Sequence, residues 1–292
     1  ASEDLGETTT QNFFEAFPSI NVLYAPSENN TFSIDYRRGI QRPKYDDLNP
    51  FRLFFNENNF IEGNPSLFPS FSNNFNFNYT LNSSYYFDIY YRDNGKNITS
   101  LVFQDNENQT LRELRQNALG SKSYGFDFTI SQNVTAEWFM KAYTSIFHEE
   151  ETFLTTEREN AEFKAEVDGF YGYIANYLTL SNDGTLTGEA TITYLSTFLF
   201  GSYISSEQLN LTLGIKKSFW DNRASISLAA EDLLNRNNPT YTSRYLNQDN
   251  FYRIRLETQF IRFGFTYNFG NFRLQDNQRG IDNTERNRLV DE

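Results

Sequence analysis

Apolar and polar residues alternate with a period of two along most of this chain. In the clearest run, near the end of the chain, every second residue is apolar: Ile261, Phe263, Phe265, Tyr267 and Phe269. The same alternation recurs in the ranges 20–24, 32–36, 75–81, 124–130, 209–215 and 224–230. Successive side chains of a β-strand point to opposite faces of its sheet, so each run predicts a strand with one apolar face.

The connections between the predicted strands alternate between short and long. Short segments typical of turns lie at 26–30, 82–84, 132–137, 181–184 and 220–223. Longer, irregular segments lie between them, at 42–66, 93–121, 148–160, 200–207 and 233–250. Outer-membrane barrels have short periplasmic turns and longer extracellular loops. The pattern therefore predicts an all-β protein, an antiparallel transmembrane β-barrel with its short turns in the periplasm.

The strand count suggests that the barrel continues beyond this sequence. About eleven strands are predicted, each long enough for the roughly 9 to 11 tilted residues of a barrel span. The first begins near Gln11 on the outer side, and the last ends at Gly270 in the periplasm. Single-chain bacterial barrels have an even number of strands, and the plugged transporters have roughly 22. We therefore expect residues 1–270 to form the C-terminal half of such a barrel and 271–292 to be a charged periplasmic tail.

Composition narrows the class of protein further. Aromatic residues make up 17% of the chain, although hydrophobic residues make up only 38%. No apolar stretch approaches the roughly 18 to 20 residues of a membrane helix, whereas barrel strands show only every second residue to lipid and are polar on average. A soluble β-sandwich or propeller is the alternative, but its apolar face would favour Val, Ile and Leu. The net charge of −13 argues against nucleic acid as a partner.

Charged side chains inside the strands should point into the barrel, because Arg or Lys facing lipid at the bilayer midplane costs roughly 2 to 4 kcal/mol. Nine charged residues alternate with apolar ones in this way and are the predicted lumen lining: Asp35, Arg37, Asp88, Asp127, Lys164, Glu166, Asp168, Lys216 and Arg262. Arg38 and Lys217 fall on the apolar register near strand ends, where a long side chain can reach the head-group region.

Two other segments are candidates for binding or chemistry. The segment 44–69 carries aromatic side chains among Asn and Pro, which suits either an extracellular binding surface or packing within the loop: Tyr45, Phe51, Phe54, Phe55 and Phe60. His148, the only histidine, precedes three glutamates. Consecutive acids on an extended segment point in different directions, so a solvated acidic loop is favoured over a metal or acid–base site. We predict no catalytic residues, no metal and no cofactor.

Several segments resemble the C-terminal barrel region of TonB-dependent receptors, in particular the outer-membrane-protein β-barrel family related to SusC-like nutrient transporters. The closest match is YRRGIQRPKYDDLNPF (36–51) followed by EGNPSLFPSFSNNFNFNY (62–79). SKSYGFDFTIS (121–131), LGIKKSFWDNRASISLAAEDLLN (213–235) and FGFTYNFGN (263–271) follow in the expected order.

The resemblance implies a place in a Gram-negative outer membrane and active import driven through TonB. It implies contacts with outer-membrane lipids and lipopolysaccharide, with TonB through an upstream N-terminal region carrying a plug, and with a surface lipoprotein lid or other complex subunits. Two functions stay open: a nutrient transporter whose barrel wall this chain helps to form, and a transporter-like barrel that serves as a scaffold subunit. Substrate identity does not follow from the sequence.

Overall fold

The computed structural model describes residues 14–155, 161–246 and 248–269. Nearly all of the described elements are strands, and one short helix lies in the first long connection. In chain order they are β1 (Ser19–Ser27), β2 (Asn30–Gln41), α1 (Tyr45–Leu48), β3 (Arg52–Asn56), β4 (Asn59–Glu62), β5 (Ser70–Leu81), β6 (Tyr85–Gly95), β7 (Ile98–Asp105), β8 (Thr110–Asn117), β9 (Gly120–Asn133), β10 (Trp138–Leu154), β11 (Glu162–Thr179), β12 (Leu186–Leu195), β13 (Leu199–Phe200), β14 (Tyr203–Ser205), β15 (Gln208–Phe219), β16 (Ala224–Glu231), β17 (Thr240–Tyr245), β18 (Gln248–Arg253) and β19 (Phe260–Tyr267). No helix in these ranges is long and apolar enough to cross a membrane.

Eleven strands form one antiparallel sheet in the order β1-β2-β5-β6-β9-β10-β11-β12-β15-β16-β19. Each strand pairs with the sheet strand that precedes it along the chain, so the sheet is an uninterrupted up-and-down meander. The prediction of an antiparallel sheet of about eleven strands is confirmed. The predicted start near Gln11 and the tail at 271–292 lie outside the described residues.

The two ends of the sheet differ in the length of their connections. At one end, which we call the turn side, residues 28–29, 82–84, 134–137, 180–185 and 220–223 connect the strands. At the other end, the loop side, the connections are 42–69, 96–119, 155–161, 196–207 and 232–259. The predicted alternation is therefore present, although residues 148–154 extend β10 and do not belong to a loop.

The long connections contain two further sheets. The first loop sheet has the order β3-β4-β8-β7, with β4 parallel to β8, and the second has the order β13-β14-β17-β18. The sequence predicted irregular loops in these segments. It did not reveal the strands because they are short and because each sheet combines strands from connections far apart along the chain.

Both loop sheets pack against one face of β10 and β11 on the loop side. Leu101 of the first loop sheet and Phe153 of β10 are fully buried, and they share a core with Ala165 of β11 and Tyr245 of the second loop sheet. The Tyr245 hydroxyl donates a hydrogen bond of 2.7 Å to the Val102 carbonyl oxygen. The loop sheets thus form a cap that is attached to the strands below it.

The opposite face of the large sheet carries rows of residues that are paired across β2, β5, β6, β9, β10 and β11. One row is apolar: Ile34, Phe77, Ile89, Phe126, Ile146 and Phe170. The next row toward the loop side is mainly aromatic: Tyr36, Phe75, Tyr91, Tyr124, His148 and Asp168. The row beyond it, the polar row, is Arg38, Asn73, Asp93, Lys122, Glu150 and Glu166. An apolar row, then an aromatic row, then a polar row is the order expected where the strands of a barrel wall leave the membrane.

The length of the apolar face fits a membrane. Trp138 lies on this face at the turn side of β10, ten residues before His148. At roughly 3.3 Å per residue these positions span about 33 Å along the strand, which is about 25 Å of depth at a tilt of roughly 40°. The apolar band of outer-membrane barrels is also about 25 Å tall. The apolar side chains are exposed; Ile146, for example, is 60% exposed.

Candidate functional site: the polar face, its cap and the charged outer network

Six of the nine predicted lumen residues lie on the face opposite the apolar rows. They are Asp35 and Arg37 on β2, Asp88 on β6, Asp127 on β9, Lys216 on β15 and Arg262 on β19. Asp88 and Asp127 are direct cross-strand partners. This polar face is the one that would surround a hydrated barrel interior.

Hydrogen bonds and ion pairs hold several of these charges in place. Asp35 accepts hydrogen bonds of 3.1 Å from the Ser33 hydroxyl and 2.9 Å from the Asn78 amide. Arg262 forms a 2.7 Å ion pair with Glu231 on the neighbouring strand. The polar face therefore carries charges of both signs, a surface suited to hydrated or polar contents.

The other three predicted lumen residues require a correction. Lys164, Glu166 and Asp168 lie on the face of the apolar rows, where Asp168 pairs with His148. Their neighbours Ala165 and Val167, which point the opposite way, are both buried. At the loop side of β11 the charged residues therefore face outward, because the cap covers the interior face.

An ion-pair network occupies the outer face at this level. The Lys164 ammonium lies 2.8 Å from a Glu150 carboxylate oxygen and 3.0 Å from one of Glu166. His148 Nδ1 lies 2.8 Å from an Asp168 carboxylate oxygen. The hydrogen bond from Lys164 lowers the pKa of Glu150. These groups lie in the aromatic row and beyond it toward the loop side, where the strands leave the apolar band.

The network also brings together three residues that could ligate a metal. Ligand atoms of His148, Glu150 and Glu166 all lie within 4.8 Å of one another. The Lys164 ammonium already bonds to both carboxylates and supplies the positive charge that a metal would bring. The arrangement is better described as an ion-pair network than as a metal site. The sequence indicated a solvated loop here, but these residues lie on regular strands.

Glu149 and Glu151 point the other way, into the cap. Glu149 accepts a 3.1 Å hydrogen bond from the backbone N–H of Leu199, and Glu151 accepts one of 3.2 Å from the Asn97 side chain. Burial raises the pKa of both carboxyls. Sequence reasoning missed this role. The available signal was that Phe147 and Phe153 flank the glutamates in the same alternation.

The aromatic segment 44–69 forms one side of the first loop sheet. Tyr45, Phe51, Phe54 and Phe55 are exposed, Tyr45 at 81%. Phe60 is buried: its ring lies 5.4 Å from that of Phe54, and the Arg52 guanidinium stacks 4.7 Å from its centroid. Four of the five candidates are thus available for contact.

The family model described as "Outer membrane protein beta-barrel family" matches residues 1–267. The chain belongs to this family. Its large sheet is accordingly the wall of a transmembrane β-barrel, and the protein is located in the outer membrane. No curated protein matches the sequence.

Solved structures of an outer-membrane receptor show the same fold. The ferric enterobactin receptor PfeA of Pseudomonas aeruginosa, in complex with BCV-L6, is 14% identical with a TM-score of 0.53, over 74% of this chain and 35% of that one. A mutant of the same receptor bound to enterobactin is 13% identical with a TM-score of 0.52, over 74% and 35% of the two chains. The chain therefore spans about a third of the length of these receptors.

Proposed function

We propose that this chain forms part of the wall of a TonB-dependent nutrient transporter. The observation that carries the proposal is the barrel sheet of the matched family, shared with a ferric enterobactin receptor and bearing a polar face that turns toward the interior. In this proposal the loop side is extracellular and the turn side periplasmic, as in outer-membrane barrels generally.

The edges of the sheet support a larger barrel. β1 and β19 each pair with only one strand of the sheet among the described residues. In lipid an unpaired backbone N–H or C=O costs several kcal/mol, so spanning sheets close into barrels. We infer that further strands, to a total of roughly 22, complete this wall around a plug, and that TonB acts through that plug. The six interior charges are then the lumen lining.

Uptake measurements test the proposal in cells that make the full-length protein. Growth is measured on a panel of single nutrients in three strains: wild type, one without this protein and one without TonB. A transporter predicts that at least one nutrient supports the wild type and neither mutant. If every nutrient that requires TonB is used normally without this protein, the proposal fails.

A scaffold role is the second candidate, and the exposed aromatic residues Tyr45, Phe51, Phe54 and Phe55 favour it. Aromatic side chains are enriched at protein interfaces. A scaffold predicts that a partner co-purifies in mild detergent with the wild type and is lost from a Phe51→Ser/Phe55→Ser variant, while nutrient uptake is unchanged by removal of the protein. A surface lipoprotein lid or another outer-membrane subunit would be such a partner.

A further inference from the structure

Two glutamates of β10 lie between the barrel wall and the cap. Glu149 and Glu151 are two residues apart on one strand, so their side chains point to the same side. Glu151 is only 8% exposed, and Glu149 is half-buried. Among the residues that the structure describes, neither carboxylate forms an ion pair; Arg92, the nearest cation to Glu149, stacks on the Tyr90 ring at 4.4 Å. Buried carboxylates require a positive partner, and none is provided by the described side chains.

The start of the first loop sheet brings more oxygen atoms to Glu151. Asn97 and Thr99 are two residues apart at the beginning of β7. Nδ2 of Asn97 donates a 3.2 Å hydrogen bond to Glu151 Oε2, and the Thr99 hydroxyl bonds to the same carboxyl. Thr99 is 5% exposed. A carboxylate, an amide and a hydroxyl therefore meet where the cap joins the barrel wall.

Two oxygen atoms in this group are buried and have no hydrogen-bond partner within the described ranges. They are Oε1 of Glu151 and Oδ1 of Asn97. Turning the Asn97 amide by 180° would bring its oxygen to the present place of Nδ2, 3.2 Å from Glu151 Oε2. Two oxygens at that separation can ligate one cation at the roughly 2.3 to 2.6 Å that calcium prefers.

We propose that Glu151, Asn97 and Thr99 bind a calcium ion that attaches the cap to the barrel wall. Glu149 supplies a second negative charge nearby. The same two strands continue with Phe153 and Leu101, which are packed in the shared core. The ion would thus lie beside the apolar contact that already joins the two parts, and it would hold the cap in its docked position.

The chemistry of the group favours calcium over other metals. All candidate ligands are oxygens, which suit calcium and magnesium, whereas zinc prefers histidine and cysteine. The only histidine, His148, lies on the opposite face of β10. Magnesium is smaller and demands octahedral geometry with several retained waters, which a buried site between two sheets does not favour. The inference is independent of the proposed function, because the barrel of a transporter or of a scaffold could carry the same ion.

The test uses the full-length protein in detergent, freed of metal with a chelator and then transferred to chelator-free buffer at pH 8, where protons compete least for the carboxyls. Hydrogen exchange of residues 97–103 is followed as calcium is added. Half of the protection should appear at a concentration on the order of 0.1 to 1 mM, as in extracellular calcium modules. At ten times that concentration, exchange through undocking of the cap should be about tenfold slower, and magnesium should protect less.

Two variants remove parts of the site. Glu151→Gln removes the carboxylate, and Asn97→Ala keeps the carboxylate but removes the amide oxygen. Each should require at least about tenfold more calcium for the same protection, since even residues that only support metal ligands contribute tenfold or more to affinity. Far-UV circular dichroism checks that both variants are folded.

The matched control is Glu150→Gln, the same substitution at the neighbouring residue, whose side chain belongs to the outer ion-pair network. It should respond to calcium as the wild type does. The proposal is overturned if calcium does not slow exchange in the wild type, if magnesium protects equally well, or if Glu151→Gln responds normally. Loss of the response in Glu150→Gln alone would also overturn it, because the ion would then lie in the outer network.

Discussion

Ala142 provides a direct way to test which face of the sheet meets lipid. It lies on β10 on the apolar face, between Ile130 of β9 and Ile174 of β11. Four residues separate it from Trp138 and six from His148, which at roughly 3.3 Å per residue and a tilt of roughly 40° places it about 10 Å inside one boundary and about 15 Å inside the other. Ala142 is therefore close to the middle of the membrane.

Ala142→Arg should destabilise the protein by roughly 2 to 4 kcal/mol, the cost of Arg on the lipid face at the bilayer midplane. At about 1.4 kcal/mol for each factor of ten, the unfolding equilibrium constant rises by roughly 30- to 1,000-fold. Ala142→Leu is the matched control, since it adds a long apolar side chain at the same site and should cost less than about 1 kcal/mol.

Denaturant titration of the full-length protein in phospholipid vesicles measures both variants against the wild type, with the slope compared to check that the transition is unchanged. The lipid-facing assignment of this row is refuted if the Arg variant lies within about 0.5 kcal/mol of the Leu variant. In that case position 142 would face water, and the two faces of the sheet would have been exchanged.

Two further predictions concern the cap. The pKa of Glu151 is raised by burial, so protonation favours the docked cap: cap stability should be greatest below the ordinary value of 4.5 and should fall as pH rises through the higher pKa of the docked state. Hydrogen exchange of residues 97–103 between pH 4 and 8 measures this. Glu151→Gln should reduce the pH dependence and leave the part due to Glu149, whose pKa burial also raises; an unchanged profile would exclude Glu151 as a contributor. Gly201→Ala should detach the loop sheets, because the added Cβ would lie 1.9 Å from the Ser100 carbonyl oxygen at a φ of +60°. Gly184→Ala, with φ +68° and no atom within 4 Å of the Cβ, should cost only the backbone strain of about 1 kcal/mol; equal protease sensitivity of the two variants would contradict this account.

Period-two alternation was sufficient to predict the large sheet, because each strand buries or exposes a whole face at once. Ile34 and Phe77, for example, both lie in predicted runs, and they are paired across β2 and β5. The alternating connection lengths also appear as expected. The alternation within a strand and the length of a connection depend only on residues that are close together along the chain, so both can be predicted from a single sequence.

The same reasoning assigned Lys164, Glu166 and Asp168 to the wrong face of β11. Alternation shows that a strand has two different faces, but it does not show which of them the cap covers. The cap depends on contacts between connections far apart in sequence, such as Leu101 with Tyr245.

Lipid exposure along β10 tests the central claim of a barrel wall most directly. Single cysteines are introduced at positions 138–150 in a cysteine-free background of the full-length protein, and each carries a nitroxide label in lipid vesicles; within this chain no cysteine has to be replaced. Oxygen accessibility should alternate with a period of two, be highest at the even positions 140–146, and fall at His148 and Glu150, where the strand leaves the apolar band. Accessibility without that period, or highest at the odd positions, would contradict the account.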